Sequence, residues 1–236
     1  MSMKRIYKTV AVATADAGAG FTVLLDSRPV GSPGQRPIIL PGRVLADAIA
    51  AEWDGQGETI DVYSMPMMGF AATVIDRVAP QRDYVVGEVA GYGGSDLLCY
   101  LADDPPVLTA RQETAWSPLR GWAEATFGAR LLPTVGVMPV AQSPDSLAAL
   151  RRTVEAVNDW ELAALHTLTA ITGSLVLGLA VLHDRLDAEA AYTVSEIDEA
   201  YQVERWGTDR EAEQRRRIRR AEVAEAAKFV ELLRAG

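Results

Sequence analysis

The densest grouping of side chains able to do chemistry is Asp198-Glu199-Ala200-Tyr201-Gln202-Val203-Glu204-Arg205-Trp206-Gly207-Thr208-Asp209-Arg210-Glu211. On a helix, Asp198, Gln202 and Trp206 recur at four-residue spacing and stack on one face. Gly207 lets the chain turn. Thr208, with Glu211 three residues on, has the spacing of a capping box for a following helix. Asp209 and Glu211 then fall in that helix's first turn, where negative charge is favoured. Two carboxylates beside a tryptophan leave three readings open. The plainest is a helix corner. A docking edge for another protein needs only an aromatic anchor and charges. An acid–base pair needs a substrate pocket, and nothing else in the chain supplies a nucleophile or metal ligand. A small-molecule enzyme using Asp209 and Glu211 is therefore kept only as the alternative.

Other catalytic signatures are absent from the sequence. No Gly-x-x-x-x-Gly-Lys-Ser/Thr loop occurs, which excludes nucleotide hydrolysis of that type. Gly91-Tyr92-Gly93-Gly94-Ser95-Asp96 lacks dinucleotide-binding spacing and follows a helix-like stretch. Gly173-Ser174 sits inside an apolar segment and is no nucleophile elbow. His166, in that same segment with no acid three or four residues away, reads as a satisfied core histidine. Cys99 is the single cysteine, and His166 and His183 are the only histidines. Neither a thiolate cage nor a three-histidine metal site can form. No metal or cofactor is expected.

The 236 residues, 49% hydrophobic and 23% charged, suffice for one large domain or two small ones. A net charge of −9 argues against nucleic acid as a partner. Arg215-Arg216-Arg217-Ile218-Arg219-Arg220 is flanked by acids and alanines, Glu211–Arg215 and Glu213–Arg217 being favourable four-residue pairs. It reads as a solvated helix face. Between Glu161 and Asp184 no charged residue appears, a length that could span a bilayer. Its histidine, threonines and glycines, and its acidic flanks, instead favour a helix buried at the centre of a helical domain, without membrane insertion. The amino-terminal residues enter a strand-like run at once, with no secretory signal. The expectation is a cytosolic monomer.

The elements that must position the corner fall into two parts. Ile6 to Val12 reads as a strand, Ala15 to Gly20 as a turn, and Phe21 to Leu25 as the hairpin partner. Ile38-Ile39-Leu40 reads as a third strand. Pro41 opens a helix whose Leu45, Ile49 and Trp53 recur every four residues and which Gly55 and Gly57 end. Beyond about Met65 the chain turns helical. Met67–Val78 and Asp83–Ala90 are separated by Pro80, and Thr109–Phe127 is interrupted at Ser117-Pro118. Ser146–Asp159, Glu161–Leu182, Ala188–Trp206 and Thr208–Leu233 follow. Leu97–Leu101 is a strand or a buried helical turn, and Leu131–Val137 a possible second strand. The expected fold is α+β: a small antiparallel β-rich domain over residues 1–64, packed on a larger, mainly helical domain over 65–236.

With those elements placed, Asp198-Glu199-x-x-Gln202-x-x-x-Trp206-Gly207-x-Asp209-x-Glu211-Ala212 resembles the carboxy-terminal signature of the ATP-twelve family, assembly chaperones for the alpha subunit of F-type ATP synthase. Tyr7-Lys8, Leu25-Asp26-x-Arg28-Pro29, Glu52-Trp53-x-x-Gln56, Ile60-Asp61, Met65-Pro66 and Asp76-Arg77-Val78 agree in order. So do Asp96-Leu97-Leu98-Cys99-Tyr100, Gln112 with Trp116-x-Pro118-Leu119, and Gly173-Ser174. Ser27 stands where glycine is usual, Val62 where proline is, and Leu101 where arginine is. The resemblance implies a β-rich domain followed by a helical one. It also implies a non-enzymatic chaperone that binds the unassembled alpha subunit, prevents its aggregation and hands it to the beta subunit. Its members are mitochondrial or bacterial, and this chain would then sit in a bacterial cytoplasm. The binding residues would be Asp198, Glu199, Gln202, Trp206, Asp209 and Glu211.

Overall fold

The computed structural model describes residues 3–15 and 18–236. Met1, Ser2 and two residues of the expected turn, Asp16 and Ala17, lie outside the described residues. The chain forms two compact units, one running to Arg82 and including Lys228–Gly236, the other Asp83–Ala227. This grouping differs from the 64/65 division read from the sequence, because the helices after Met65 pack with the first unit.

In the first unit, β1 (Met3–Lys4) pairs antiparallel with β5 (Thr59–Ile60). A separate sheet has the order β2 (Val10–Thr14), β3 (Phe21–Leu25), β4 (Arg28–Pro29). The hairpin register runs from Val10↔Leu25 to Thr14↔Phe21. Strand β2 starts later than expected, because Lys8 and Thr9 give their backbone N–H groups to the Asp26 carboxylate instead of to a ladder. Asp26 and Ser27 both adopt positive φ, 47° and 70°, the requirement of a two-residue I′ turn that twists with its strands. Ile38–Leu40 does not form a strand. Only Leu40 bridges, exchanging both backbone hydrogen bonds with Phe21.

Helix α1 (Arg43–Asp54) lies across β2 and β3 and buries Leu45, Ile49 and Trp53, as their spacing requires. Its Glu52 reaches the start of α2 (Pro66–Thr73), accepting the Met67 and Met68 N–H groups at 2.7 and 2.8 Å. These are two of the amides a helix start leaves without intrahelical partners. A π-helical turn over Val74–Val78 and a 3₁₀ turn over Ala79–Gln81 lead into α3 (Arg82–Gly91). Pro80 therefore sits at the start of a turn, where its missing N–H is harmless, and leaves no gap between helices. Phe70 of α2 stacks on Phe229 near the chain's end, ring centroids 4.9 Å apart.

The second unit continues through a 3₁₀ turn, Leu97–Cys99, into β6 (Tyr100–Leu101), so both readings of that run hold in succession. Strand β6 pairs in parallel with β7 (Thr134–Val135). Between them, α4 (Pro106–Phe127) runs unbroken through Pro118. The one backbone bond lost there is tolerated because Trp116 and Leu119 are buried on either side.

Helix α5 (Pro144–Glu155) is followed by α6 (Asp159–Thr172) and α7 (Leu175–Leu182), where one helix over Glu161–Leu182 was expected. Gly173 takes φ 68° and ends α6, and Ser174 Oγ accepts the Leu177 N–H to start α7. Every residue of α7 is buried, the central position expected of this segment. No helix of the described residues is long and apolar enough to cross a membrane. Asp96 anchors this junction. Its carboxylate accepts from Ser174 Oγ (2.6 Å) and from the Val176 (3.0 Å) and Leu98 (3.1 Å) amides. Burial raises its pKa, and those donors oppose the rise.

Contrary to expectation, His166 is not in the core. It is 46% exposed, with Nε2 4.0 Å from the Glu88 carboxylate, because it faces away from the apolar side of α6. His183 lies against the rings of Trp122 and Phe127. The remaining helices are α8 (Ala188–Ser195), α9 (Ile197–Trp206) and α10 (Arg210–Arg234). The expected single helix Ala188–Trp206 is divided at Glu196, which receives Arg219 of α10 at 3.2 Å. Arg220 pairs with Glu189 of α8.

Candidate functional site: the corner between α9 and α10

Helix α9 is clamped to α4 by a face the sequence only half reveals. Gln112, fully buried in α4, donates Nε2 to Asp198 at 2.5 Å and accepts the Ala102 N–H at 2.7 Å. Tyr201 is buried beneath two guanidinium groups, Arg111 at 5.5 Å and Arg205 at 5.4 Å from the ring centroid. Arg205 also donates to the Tyr201 hydroxyl, and Arg111 bridges to Glu204 at 2.8 Å.

Asp198, Gln202 and Trp206 therefore do not form one face. Each four-residue step overshoots a full turn by about 40°, so two steps carry Trp206 about 80° around from Asp198. Asp198 turns inward to Gln112. Its pKa is raised by burial, with the Gln112 hydrogen bond opposing. Glu199, Gln202 and Trp206 are exposed, Trp206 at 73%.

At the corner, Gly207 adopts φ 78° and ψ −179°, a conformation that favours glycine. The expected capping box does not form. Asp209 Oδ1 accepts the Ala212 N–H at 2.7 Å and is the cap, while Thr208 Oγ1 turns to the Asp209 carbonyl. Asp209 lies one residue nearer the helix start, which places its short carboxylate over the open amides. Glu211 is left free for Arg215, 3.3 Å away, with its side chain 87% exposed. Both carboxyl groups stand in solvent, not in a pocket that could position a substrate. No cluster of three or more metal-ligating side chains occurs among the described residues.

The structure thus brings Trp206, Asp209 and Glu211 together at one exposed bend, beside Glu199 and Gln202 on the outer side of α9. Asp198 instead turns toward Gln112 of α4. Sequence reasoning missed Arg111, Gln112, Tyr201 and Arg205 as the residues that set α9. The one signal available was Tyr201 with Arg205 four residues on, a spacing at which the two side chains meet on a helix.

A sequence model of the ATP12 chaperone protein family matches residues 4–124. The chain belongs to the ATP12 chaperone family. Two solved structures of Atp12 from Paracoccus denitrificans, one of them a point mutant, superpose with TM-scores of 0.94. Each is 42% identical, over 98% of both chains. The mitochondrial protein atp12 of Schizosaccharomyces pombe is 22% identical over 219 residues, 88% of this chain and 75% of that protein. Membership in the ATP12 family makes this protein an ATP synthase assembly chaperone. The α+β architecture, β-rich first and helical afterwards, is that of the solved ATP12 structures.

Proposed function

We propose that this protein acts without catalysis. In this reading it binds the unassembled alpha subunit of the F-type ATP synthase head, keeps it from aggregating and yields it to the beta subunit. The observation that carries the reading is the exposed bend at Trp206, Asp209 and Glu211. A tryptophan 73% open to water, next to a carboxylate 87% open, is the composition of an interface hot spot with a charged rim. An orphan subunit exposes apolar surface meant for its neighbour and aggregates unless that surface is covered. Release needs no nucleotide. It requires only that the beta subunit bind the same surface more tightly.

Co-expression with the separate alpha and beta subunits tests this. Alpha alone is expected to stay soluble and co-purify with the chaperone, and to leave it when beta is added. Retention of beta instead of alpha, or aggregation of both, refutes the assignment.

A further inference from the structure

The β-rich unit holds a groove of about 870 Å³, a volume typical of binding sites. Its walls include the buried side chains of Tyr7, Val30, Trp53, Met65 and Met68. Its rim is apolar as well, with Ile6 90% and Val62 60% exposed. Apolar side chains at a rim extend the contact surface beyond the groove itself. This suits a length of polypeptide better than a small molecule, which sites of this size bury almost completely.

The polar groups of the groove are unbalanced in one direction. Arg28 lines the same groove, and its side chain makes no ion pair or hydrogen bond with the described residues. Asp26, the acid of the lining, is already taken by the Lys8 and Thr9 amides and the Thr9 hydroxyl. What the groove lacks is an anionic acceptor for Arg28.

We propose that this groove binds an extended segment of the unassembled alpha subunit, one that carries apolar side chains and an acidic residue. The apolar side chains fill the space between Ile6 and Val62. The carboxylate of the segment meets Arg28. The chaperone then holds its client at two separate places, the groove and the α9–α10 bend. The choice of occupant rests on the function proposed above.

The test uses the full chain with Ile6→p-benzoylphenylalanine or Val62→p-benzoylphenylalanine, co-expressed with the alpha subunit and irradiated. Adducts to alpha are expected from both positions, at a peptide containing an acidic residue, and none from Asp47→p-benzoylphenylalanine on the exposed side of α1. In parallel, Ile6→Asp with Val62→Asp should lower co-purified alpha by about tenfold, the effect of losing two apolar contacts. Arg28→Glu should weaken both adducts. Ile6 and Val62 are exposed, so an unchanged melting temperature of the double variant confirms that the fold is intact. Adducts to a second copy of this chain, or no adducts, overturn the proposal. So does equal retention of alpha by wild type and the double variant, which leaves the chaperone reading standing. Failure of the wild type to retain alpha overturns both.

Discussion

Replacing Asp198 with alanine separates holding the scaffold from touching the client. The substitution leaves Gln112 Nε2 buried with nothing to donate to, since Gln112 Oε1 is committed to Ala102 and the residue is fully buried. A hydrogen bond to a charged group contributes about 1.5–3 kcal/mol. Part of this is offset because the half-buried carboxylate of Asp198 no longer has to be desolvated, as its burial-raised pKa indicates. The net loss is about 1–2 kcal/mol, equivalent to a fall in melting temperature of roughly 2–8 °C for a chain of this size. Scanning calorimetry reads the loss, and amide exchange should show faster opening along α9. In a Gln112→Leu background the second substitution should cost less by about 1 kcal/mol, because no orphaned donor remains. The reasoning fails if Asp198→Ala melts like wild type with α9 still protected yet no longer retains alpha. Asp198 would then be a direct contact. Strict additivity of the two substitutions would equally break the link to Gln112.

Glu211→Lys should reduce retention of alpha in co-purification while lowering stability by no more than about 1–2 kcal/mol, the sum of an exposed four-residue pair reversed and an unfavourable charge in a first turn. Unfolding of this variant, or normal retention, removes Glu211 from the docking edge. For Asp96, a carboxyl whose pKa is raised on folding adds stability that is complete below the ordinary carboxylate value of about 3.9 and is lost as pH rises through the folded value. Wild type should therefore gain on Asp96→Asn as pH falls from 7 towards 4. Urea midpoints across that range check this, and an opposite slope would mean that the Ser174, Val176 and Leu98 donors outweigh burial. Ser27→Gly should raise the urea midpoint, with a gain of about 0.5 kcal/mol, because φ 70° strains a serine and not a glycine. A loss would reveal a contact made by the serine side chain.

What could be read from the sequence was what depends on near neighbours. The four-residue recurrence of Leu45, Ile49 and Trp53 gave α1 and its buried face, and the strand-like runs on either side of the small residues at 15–20 gave the hairpin. The break at Gly173-Ser174 was present as a glycine followed by a capping serine, but the apolar run on both sides suggested continuity. Pro118 misled in the opposite sense. Buried neighbours hold α4 together through it, and that support comes from residues distant in the chain. The bend at Gly207 was legible from its glycine and acids, whereas the choice of Asp209 over Thr208 as cap depended on one residue of phase. The inward turn of Asp198 could not be read, because its partner Gln112 lies on another helix. Nor could the exposure of Ile6 and Val62, which is a property of the assembled surface.

The stacking of Phe229 on Phe70 has a consequence for how the protein comes into being on the ribosome. Phe229 is fully buried, and it belongs to the unit that contains the first strands. That unit is therefore still missing a core side chain when its residues up to Arg82 have already been synthesised. Its completion waits until Phe229 has itself been made and can fold back onto Phe70. Stalled or prematurely terminated products should carry an open apolar site around Phe70, marking them for proteolysis before they could engage a client.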